Sequence, residues 1–189
     1  MLEGVGTLRE VLVVVERGSK FVARDLVLPL VIAAGAAVVL AADYMSTPFD
    51  AVFDAEEAGS GVPGTLLRAL ARKESSFRPT AVSPPNTNGS VDWGLMQVNE
   101  RTARALGFEV SKLLDPRYNV HVAAAVLLQL RRELGTSYSP QTWIAAYNAG
   151  APAILKRGVF NLAYTSEVHW HWQLYQLAQL VKGLGGGGK

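Results

Sequence analysis

The feature that most constrains this chain is an uncharged run, Leu26 to Ala42, which lies between Asp25 and Asp43 and contains no polar side chain. At the rise of an α-helix, a run of this length spans roughly 25 Å, the short end of what crosses a bilayer. A soluble core helix usually shows one polar face, and this run has none. We therefore expect one N-terminal transmembrane helix over residues 26–42.

The charges that flank the run predict its orientation. Four basic residues precede it: Arg9, Arg17, Lys20 and Arg24. The next cation after it is Arg68, and several acidic residues come first. The positive-inside rule then places residues 1–25 in the cytoplasm or at the inner interface, and the rest of the chain on the far side. A cleaved signal peptide and a buried core helix remain alternatives.

Composition excludes several classes of site and partner. The chain has no cysteine, which excludes disulfides, thiolate metal sites and a cysteine nucleophile. The net charge of +2 is too small to predict a nucleic-acid partner. The tail, residues 183–189, is nearly all glycine and is predicted to be disordered.

Residues 47–182 are predicted to form one domain, which turn-forming residues divide into several helices. The predicted helices cover about 47–58, 63–75, 99–107, 119–135, 140–148 and 166–182, with Asn119 as the cap of the fourth. The proline- and asparagine-rich stretch 79–92 predicts a loop or a small hairpin. The predicted fold class is therefore mainly α, with a small β or loop section near residues 80–98.

One carboxylate falls on the apolar side of the second predicted helix. Glu74 follows Leu67 and Leu70 at helical spacing, near the helix C-terminus. Desolvation and the negative end of the helix dipole both raise the pKa of such a carboxyl, which can then donate a proton to a leaving oxygen. The alternative is that Glu74 turns outward and pairs with Arg72 or Arg78.

Glu74 belongs to the first of three sequence blocks. The blocks are residues 71–77 (ARKESSF), 94–99 (GLMQVN) and 146–150 (AYNAG). In this order and at this spacing they resemble the soluble lytic transglycosylase domain family, a relative of goose-type lysozyme. The resemblance also takes in residues 61–70 and 115–119, and it covers roughly residues 50–155.

The resemblance implies a lysozyme-like fold and a cut in the glycan strands of peptidoglycan. The glutamate that matches Glu74 protonates the bond between N-acetylmuramic acid and N-acetylglucosamine. It then acts as a base on the muramyl 6-hydroxyl, which closes onto the anomeric carbon to give a 1,6-anhydro sugar. The tethered hydroxyl makes a second catalytic carboxylate unnecessary. The reaction implies no cofactor and no metal.

Roles for five other residues follow from the same resemblance. The serine that matches Ser75 supports the glutamate by hydrogen bonding. In the second block, Met96 would offer the sugar an apolar contact and Gln97 a hydrogen bond. In the third block, Tyr147 and Asn148 would orient the glutamate and the substrate.

The residues themselves leave some roles open. Asp92 could hydrogen-bond the loop around it, or it could be the second carboxylate of a hydrolytic muramidase. Trp93 and Tyr147 could stack on sugar rings, whereas Trp143 has the spacing of a core residue. The pair His169 and His171 could suggest a metal, but residues two apart on a helix point to different sides. We expect no metal site there.

Taken with the hydrophobic run, these residues predict an anchored enzyme. It would be a single-pass membrane protein whose catalytic domain, residues 47–182, faces the periplasm or an equivalent virion compartment. Its partners would be peptidoglycan strands, membrane lipid, and proteins of a virion or of a secretion or conjugation machine. An alternative of another class is a membrane-anchored structural or assembly protein with a vestigial enzyme domain.

Overall fold

The computed structural model describes residues 43–135 and 139–185. The predicted transmembrane helix over 26–42, the segment before it and the end of the glycine-rich tail lie outside the described residues. Among the residues that are described, no helix combines the length and the apolar character needed to cross a membrane. All structural features below belong to the compact unit that begins at Tyr44.

The described chain is built from seven helices and two very short strands. The helices are α1 (Asp50–Ser60), α2 (Gly64–Ser75), α3 (Glu100–Ala105), α4 (Pro116–Leu134), α5 (Pro140–Ala149), α6 (Ala151–Arg157) and α7 (Leu162–Gly185). A single 3-10 turn covers Val110–Lys112. Strands β1 (Asp92–Trp93) and β2 (Val98–Asn99) pair antiparallel, with Asp92 opposite Asn99. The prediction of a mainly helical chain with a small β section is confirmed.

The start of α4 differs from the prediction. Its cap is Asp115, whose carboxylate accepts a hydrogen bond of 2.8 Å from the backbone N–H of Tyr118, and Pro116 occupies the first turn. An aspartate followed by proline is a strong helix start, because proline has no N–H to leave unsatisfied. Asn119 was therefore wrongly predicted as the cap. It lies one turn inside the helix and is fully buried.

The C-terminal part of the chain is more helical than the sequence pattern indicated. Helix α6 lies between the predicted helices 140–148 and 166–182, where no helix was predicted. Helix α7 begins four residues before the predicted start at residue 166 and continues to Gly185, so residues 183–185 of the tail are helical and not disordered as predicted. Gly158, with a φ of 69°, ends α6. The carbonyl of Asn161 then accepts bonds from the N–H (3.0 Å) and the hydroxyl (3.1 Å) of Thr165 in the first turn of α7.

Helix α2 lies at the centre of the domain. It packs against α1 on one side and α7 on another, and α7 also packs on α5. Large side chains that are fully buried around it include Phe53, Leu67, Leu70, Ile144 and Tyr175. A smaller cluster fills the space between α4, α5 and α6. Because α2 is enclosed by its neighbours, the side chains at its C-terminal end are held in fixed positions.

Candidate active site

A groove of about 550 Å³ lies along one side of the described domain, and the three sequence blocks meet there. One wall is the polar stretch around the β1–β2 hairpin, and the opposite wall comes from α4 and α5. The lining residues from the blocks and the hairpin include Glu74, Asn86, Asp92, Gln97, Tyr147 and Asn148. Such a concave site with a few convergent polar groups is typical of a ligand-binding cleft.

Glu74 stands in the last turn of α2 and is the only lining residue from that helix. Its carboxylate accepts a short hydrogen bond from the hydroxyl of Tyr164 on α7. Burial raises the pKa of Glu74 to about 7, although the hydrogen bond from Tyr164 lowers it; the nearby charge of Asp92 raises it further and that of Lys73 lowers it. A carboxyl with this pKa is about half protonated at neutral pH, so it can both donate and accept a proton.

Tyr164 is the contact that the sequence analysis missed. It lies outside the three blocks and ninety residues after Glu74 along the chain. Burial, the charge of Glu74 and the hydrogen bond to it raise the pKa of Tyr164 well above its ordinary value. The hydroxyl therefore stays protonated and remains a donor. No local pattern marks this tyrosine, because its position depends on how α7 packs on α2.

The two arginines that were alternatives for an ion pair with Glu74 are engaged elsewhere. The guanidinium of Arg72 lies 4.3 Å above the ring centroid of Tyr44. Arg78 donates from Nε to the carbonyl of Ser75 at 2.9 Å. Glu74 thus faces the groove and does not form the alternative ion pair with Arg72 or Arg78.

Ser75 is buried and does not face the groove. Its hydroxyl donates to the carbonyl of Leu95 at 2.7 Å and accepts from the backbone N–H of Arg78 at 3.1 Å. The expected hydrogen bond to Glu74 is not the one that forms, because the next residue on a helix points about 100° away. Ser75 instead joins the end of α2 to the second sequence block.

The turn of the second block is fixed by a glycine and by a buried asparagine. Gly94 has a φ of 79°, and a Cβ there would lie 2.3 Å from the carbonyl oxygen of Leu113. The side chain of Asn119 accepts from the N–H of Met96 at 2.7 Å, and it donates to the carbonyls of Trp93 and Leu113, each at 2.8 Å. Only glycine fits this close approach of backbone segments.

Within this turn, Met96 and Gln97 face different ways. Met96 is completely buried in the core and does not line the groove, so the apolar sugar contact expected of its side chain is not available. Gln97 does line the groove. Its φ of 47° redirects the chain at this point, and its amide nitrogen donates to the carbonyls of Ala81 (3.1 Å) and Gly94 (2.9 Å).

Tyr147 and Asn148 of the third block both line the groove, as expected. The hydroxyl of Tyr147 donates to the carbonyl of Met96 at 2.9 Å. Burial raises the pKa of Tyr147 well above its ordinary value, with smaller contributions from the charges of Glu74 and Asp92. The side-chain oxygen of Asn148 accepts from Asn161 at 2.9 Å, which sets the orientation of its amide.

Comparison with known proteins agrees with the geometry. The family model of the transglycosylase SLT domain matches residues 51–161, which contain all three blocks. This chain belongs to the transglycosylase SLT domain family. The prediction of a lytic transglycosylase is confirmed at the level of family and enzyme class.

Three relatives illustrate how far the similarity of this SLT domain extends. Protein IpgF of Shigella flexneri is 34% identical over 112 residues, which are 57% of this chain and 70% of that protein. Invasion protein IagB of Salmonella typhimurium is 32% identical over 119 residues, which are 61% of this chain and 69% of that protein. The membrane-bound lytic murein transglycosylase F of Pseudomonas putida is 36% identical over 90 residues, 46% of this chain and 17% of that protein.

Asp92 lies in the groove of the SLT domain, where neighbouring amides hold both of its carboxylate oxygens. It accepts from Asn99 at 2.7 Å and from Asn86 at 3.1 Å. These bonds tie the two strands and the preceding loop together. The structure thus supports the first of the two roles considered for Asp92, hydrogen bonding to the loop around it, and the partners are side-chain amides.

The remaining aromatic residues of the SLT domain pack mainly into its interior. Trp93 packs against the main core and Trp143 against the smaller cluster, where Arg131 lies 5.2 Å from its ring centroid. Trp172 donates its indole N–H to the hydroxyl of Thr65 at 3.0 Å. Of the aromatics considered for stacking on sugar, Tyr147 is the one that lines the groove.

The histidine pair of α7 has other neighbours. His171 forms a 2.8 Å hydrogen bond with the hydroxyl of Tyr44, and the ring of His169 packs edge-on against Trp172. Within the described residues, no group of three or more potential ligands is placed to hold a metal ion.

Proposed function

We propose that Glu74 is the single acid/base catalyst with which this lytic transglycosylase cuts the β-1,4 bond between N-acetylmuramic acid and N-acetylglucosamine in peptidoglycan. The observation that carries the proposal is a carboxyl in the wall of the groove whose pKa is about 7. Peptidoglycan is the substrate that the family resemblance implies. The murein transglycosylase of Pseudomonas putida adds support through its name.

The reaction needs two proton transfers, and Glu74 takes part in both, first as the donor and then as the acceptor. In its protonated form it gives its proton to the glycosidic oxygen as the bond from that oxygen to C1 of the muramyl sugar breaks. The resulting carboxylate then takes the proton of the muramyl 6-hydroxyl while that oxygen bonds to C1. The product carries a 1,6-anhydro ring, Glu74 is protonated again, and no water is consumed. The tether between nucleophile and electrophile replaces a second catalytic carboxylate.

The neighbours of Glu74 suit this cycle. Tyr164 donates to the carboxylate, so it stabilises the charged form that exists between the two proton transfers. It also fixes the rotamer of the catalyst. We assign Gln97, Tyr147 and Asn148 to substrate positioning, because each contributes a polar group to the groove beside Glu74.

One wall of the groove is polar and the other is partly apolar, and an acetylated glycan has both kinds of group to contact. The hairpin wall carries amides and hydroxyls, including Thr87, Asn88 and Asn99, which can bond sugar hydroxyls and acetamido groups. The opposite wall contributes Val126 and Leu130 from α4. These apolar side chains can contact sugar ring faces and acetyl methyl groups.

We also propose a setting for the enzyme. The run 26–42 would anchor the chain in a membrane, with the catalytic domain on the periplasmic side, and the flanking charges support this orientation. There the enzyme would open the wall locally for phage genome entry or for a secretion or conjugation machine. The names of two relatives, an invasion protein and a membrane-bound transglycosylase, agree with a localised role.

A second candidate is a hydrolytic muramidase, favoured by one observation. Asp92 lies in the same groove as Glu74, where a second carboxylate can activate a water molecule for hydrolysis. Its two carboxylate oxygens already accept hydrogen bonds from the side-chain amides of Asn99 and Asn86, and a water molecule would compete with these amides for the same oxygens. We therefore rank this candidate second.

Digestion of purified peptidoglycan by the detergent-solubilised full chain distinguishes the candidates. We expect muropeptides with 1,6-anhydro ends, lighter by one water than products with reducing ends, in the mass spectrum. Glu74→Gln should give no product, whereas the matched surface variant Glu109→Gln should behave as the wild type. If the products carried only reducing ends, the enzyme would be a hydrolytic muramidase and not a transglycosylase. A folded wild-type chain that releases nothing would favour an assembly protein with a vestigial domain.

A further inference from the structure

Asn161 stands immediately before α7 and outside the three sequence blocks. The nitrogen of its side-chain amide makes two hydrogen bonds: it donates to the carbonyl of Ala145 at 3.0 Å and to the side-chain oxygen of Asn148 at 2.9 Å. Its side-chain oxygen accepts from the hydroxyl of Thr165 at 3.4 Å. Asn161 therefore joins the start of α7 to the last turn of α5.

These bonds decide which end of the Asn148 amide faces the groove. The backbone carbonyl of Ala145 can only accept, so the group of Asn161 that contacts it is the NH2 and not the oxygen. The same NH2 needs an acceptor from Asn148, which is the side-chain oxygen. The side-chain nitrogen of Asn148 forms no hydrogen bond within the described residues, and Asn148 lines the groove. The groove thus receives an N–H donor of fixed direction.

The wall that carries this donor is otherwise apolar in part. Four of its lining residues belong to the small cluster between α4, α5 and α6: Val126, Leu130, Ala146 and Ala149. A donor beside apolar side chains fits a group in which an acceptor stands next to a methyl. The acetamido group of an amino sugar has this composition, because its carbonyl oxygen only accepts. A sugar hydroxyl both donates and accepts, so a fixed donor does not select it.

We propose that Asn161 is a positioning residue that sets the preference of this enzyme for N-acetylated over N-free amino sugars. It acts through Asn148, whose N–H it directs to the carbonyl of a substrate acetamido group. The inference rests on the proposed cleavage of peptidoglycan and deepens it by naming the substituent that this wall reads. A sugar that has lost its acetyl group carries an ammonium at the same place. An ammonium only donates, so it would meet the N–H of Asn148 donor to donor.

The charged groups of the groove act in the opposite direction. Glu74 and Asp92 are the charged residues among those that line it, and both are acidic. Their carboxylates would attract an ammonium, so charge alone would not reject a de-N-acetylated strand. Because this attraction is common to variants that keep both carboxylates, the contribution of Asn161 is measured as a change in preference between such variants.

Reversal of the Asn148 amide is the test. Asn161→Asp replaces the donor with an acceptor, so Asn148 should turn its NH2 away from the groove and its oxygen into it. Detergent-solubilised full chains digest solubilised peptidoglycan before and after treatment with an N-deacetylase. We expect Asn161→Asp to raise KM for the acetylated strands about tenfold, the effect of one lost hydrogen bond, and to change kcat by no more than about twofold. The ratio of kcat/KM for acetylated over deacetylated strands should fall by at least the same factor as KM rises.

A double-variant comparison separates positioning from a direct effect. Asn148→Ala should also lower the ratio, and adding Asn161→Asp to it should change the ratio by no more than about twofold, because a residue that acts through another loses its effect when the other is removed. Gln176→Glu makes the same change from amide to carboxylate at an exposed position of α7 outside the groove, and it should keep the wild-type ratio. An equal loss on both substrates for Asn161→Asp, or a full further loss in the double variant, would refute the positioning role.

Folding and binding are measured on the same chains. Circular dichroism reports whether each variant is folded; if Asn161→Asp is not, Asn161→Leu replaces it, and because it releases Asn148 without turning it we expect the ratio to fall about threefold. Cosedimentation of the Glu74→Gln chain with insoluble peptidoglycan measures the preference for acetylated strands without cleavage. If the wild type does not cut but the Glu74→Gln chain prefers acetylated strands and loses this preference with the added substitution at Asn161, the catalytic proposal fails and this one stands. If the wild type cuts and substitution of Asn161 leaves its preference unchanged, this proposal fails and the catalytic one stands.

Discussion

Helix α2 carries two charged side chains, six residues apart, that are largely withdrawn from solvent and are treated in opposite ways. Arg68 is 7% exposed and forms ion pairs with Asp50 at 2.9 Å and with Asp54 at 2.5 Å. Glu74 accepts a hydrogen bond from the neutral hydroxyl of Tyr164, and the nearby carboxylate of Asp92 repels its charge.

The difference shows how one helix can serve both structure and chemistry. Burial alone would lower the pKa of Arg68, but hydrogen bonds to Asp54 and Asp50 outweigh it, and the pKa is raised. Arg68 therefore stays charged and ties α1 to α2. Glu74 lacks such compensation, so burial moves its pKa into the neutral range. A buried charge with partners is structural, whereas one whose charge is poorly compensated is free to exchange a proton.

The largest effect that this comparison predicts is on the rate. Glu74→Gln keeps the shape of the side chain and removes its proton chemistry, so we expect glycan cleavage to fall by about 10³-fold or more. Release of soluble muropeptides from peptidoglycan is the measurement. Glu109→Gln, on an exposed carboxylate, should retain the wild-type rate. Cleavage by the Glu74→Gln chain at even a tenth of that rate would remove Glu74 from the role of catalyst.

The second effect is on stability and concerns Arg68. Arg68→Met removes the ion pairs with Asp50 and Asp54 at the junction of α1 and α2. Because both carboxylates keep contact with solvent, we expect the free energy of unfolding to fall by about 2 kcal/mol. Urea unfolding followed by circular dichroism measures it. The control Arg104→Met removes an exposed ion pair on α3 and should cost less than about 1 kcal/mol. Equal losses in the two variants would mean that Arg68 is not a structural charge.

The third effect has the opposite sign and depends on pH. Because the pKa of Glu74 is about 7 in the folded chain against 4.5 as its ordinary value, folding is favoured by the protonated form. This stabilisation is complete below pH 4.5 and disappears as the pH rises through 7. At pH 8, Glu74→Gln should therefore be more stable than the wild type by roughly 2 kcal/mol, and the difference should vanish near pH 4.5. Urea midpoints at both pH values test this, and a less stable variant at pH 8 would contradict it.

The smallest effect concerns the hydroxyl that faces the catalyst. Tyr164→Phe removes a hydrogen bond that favours the charged form of Glu74, so the pKa of Glu74 should rise. We expect the alkaline limb of the pH profile of kcat/KM to move upward by up to about one pH unit. Tyr118→Phe removes a tyrosine hydroxyl remote from the groove and should leave the profile in place. A downward shift for Tyr164→Phe would show that the hydroxyl acts in another way.

Local sequence signals predicted most of the helices because turn residues mark their ends. Gly61 closes α1, Pro116 opens α4 and Pro140 opens α5, as expected from their backbone preferences. The cap at Asn119 was wrong because that residue is used by a distant turn rather than by its own helix. Helix α6 was missed because its seven residues are too few for a clear periodic pattern.

The site was predictable where the three blocks carried it and not where long-range packing did. Glu74, Gln97, Tyr147 and Asn148 were all placed at the groove by the family resemblance, and the structure brings them together there. The sugar contact expected of Met96 did not follow, because the tight turn directs its side chain into the core. The hydrogen bond expected from Ser75 to Glu74 did not form, because the next residue on a helix points about 100° away. The contact of Tyr164 depends on the register of α7 against α2, which no local pattern records.

The buried amide of Asn119 has a consequence for the kinetics of hydrogen exchange. Strands β1 and β2, which flank the turn of the second block, have only two residues each. Amides in such short strand pairs usually exchange with solvent quickly. The N–H of Met96, however, is bonded at 2.7 Å to a side chain anchored within α4, and both partners are fully buried. We expect this amide to be among the slowest to exchange in the chain. Its deuterium uptake would then report the opening of the whole domain, although it lies in a turn.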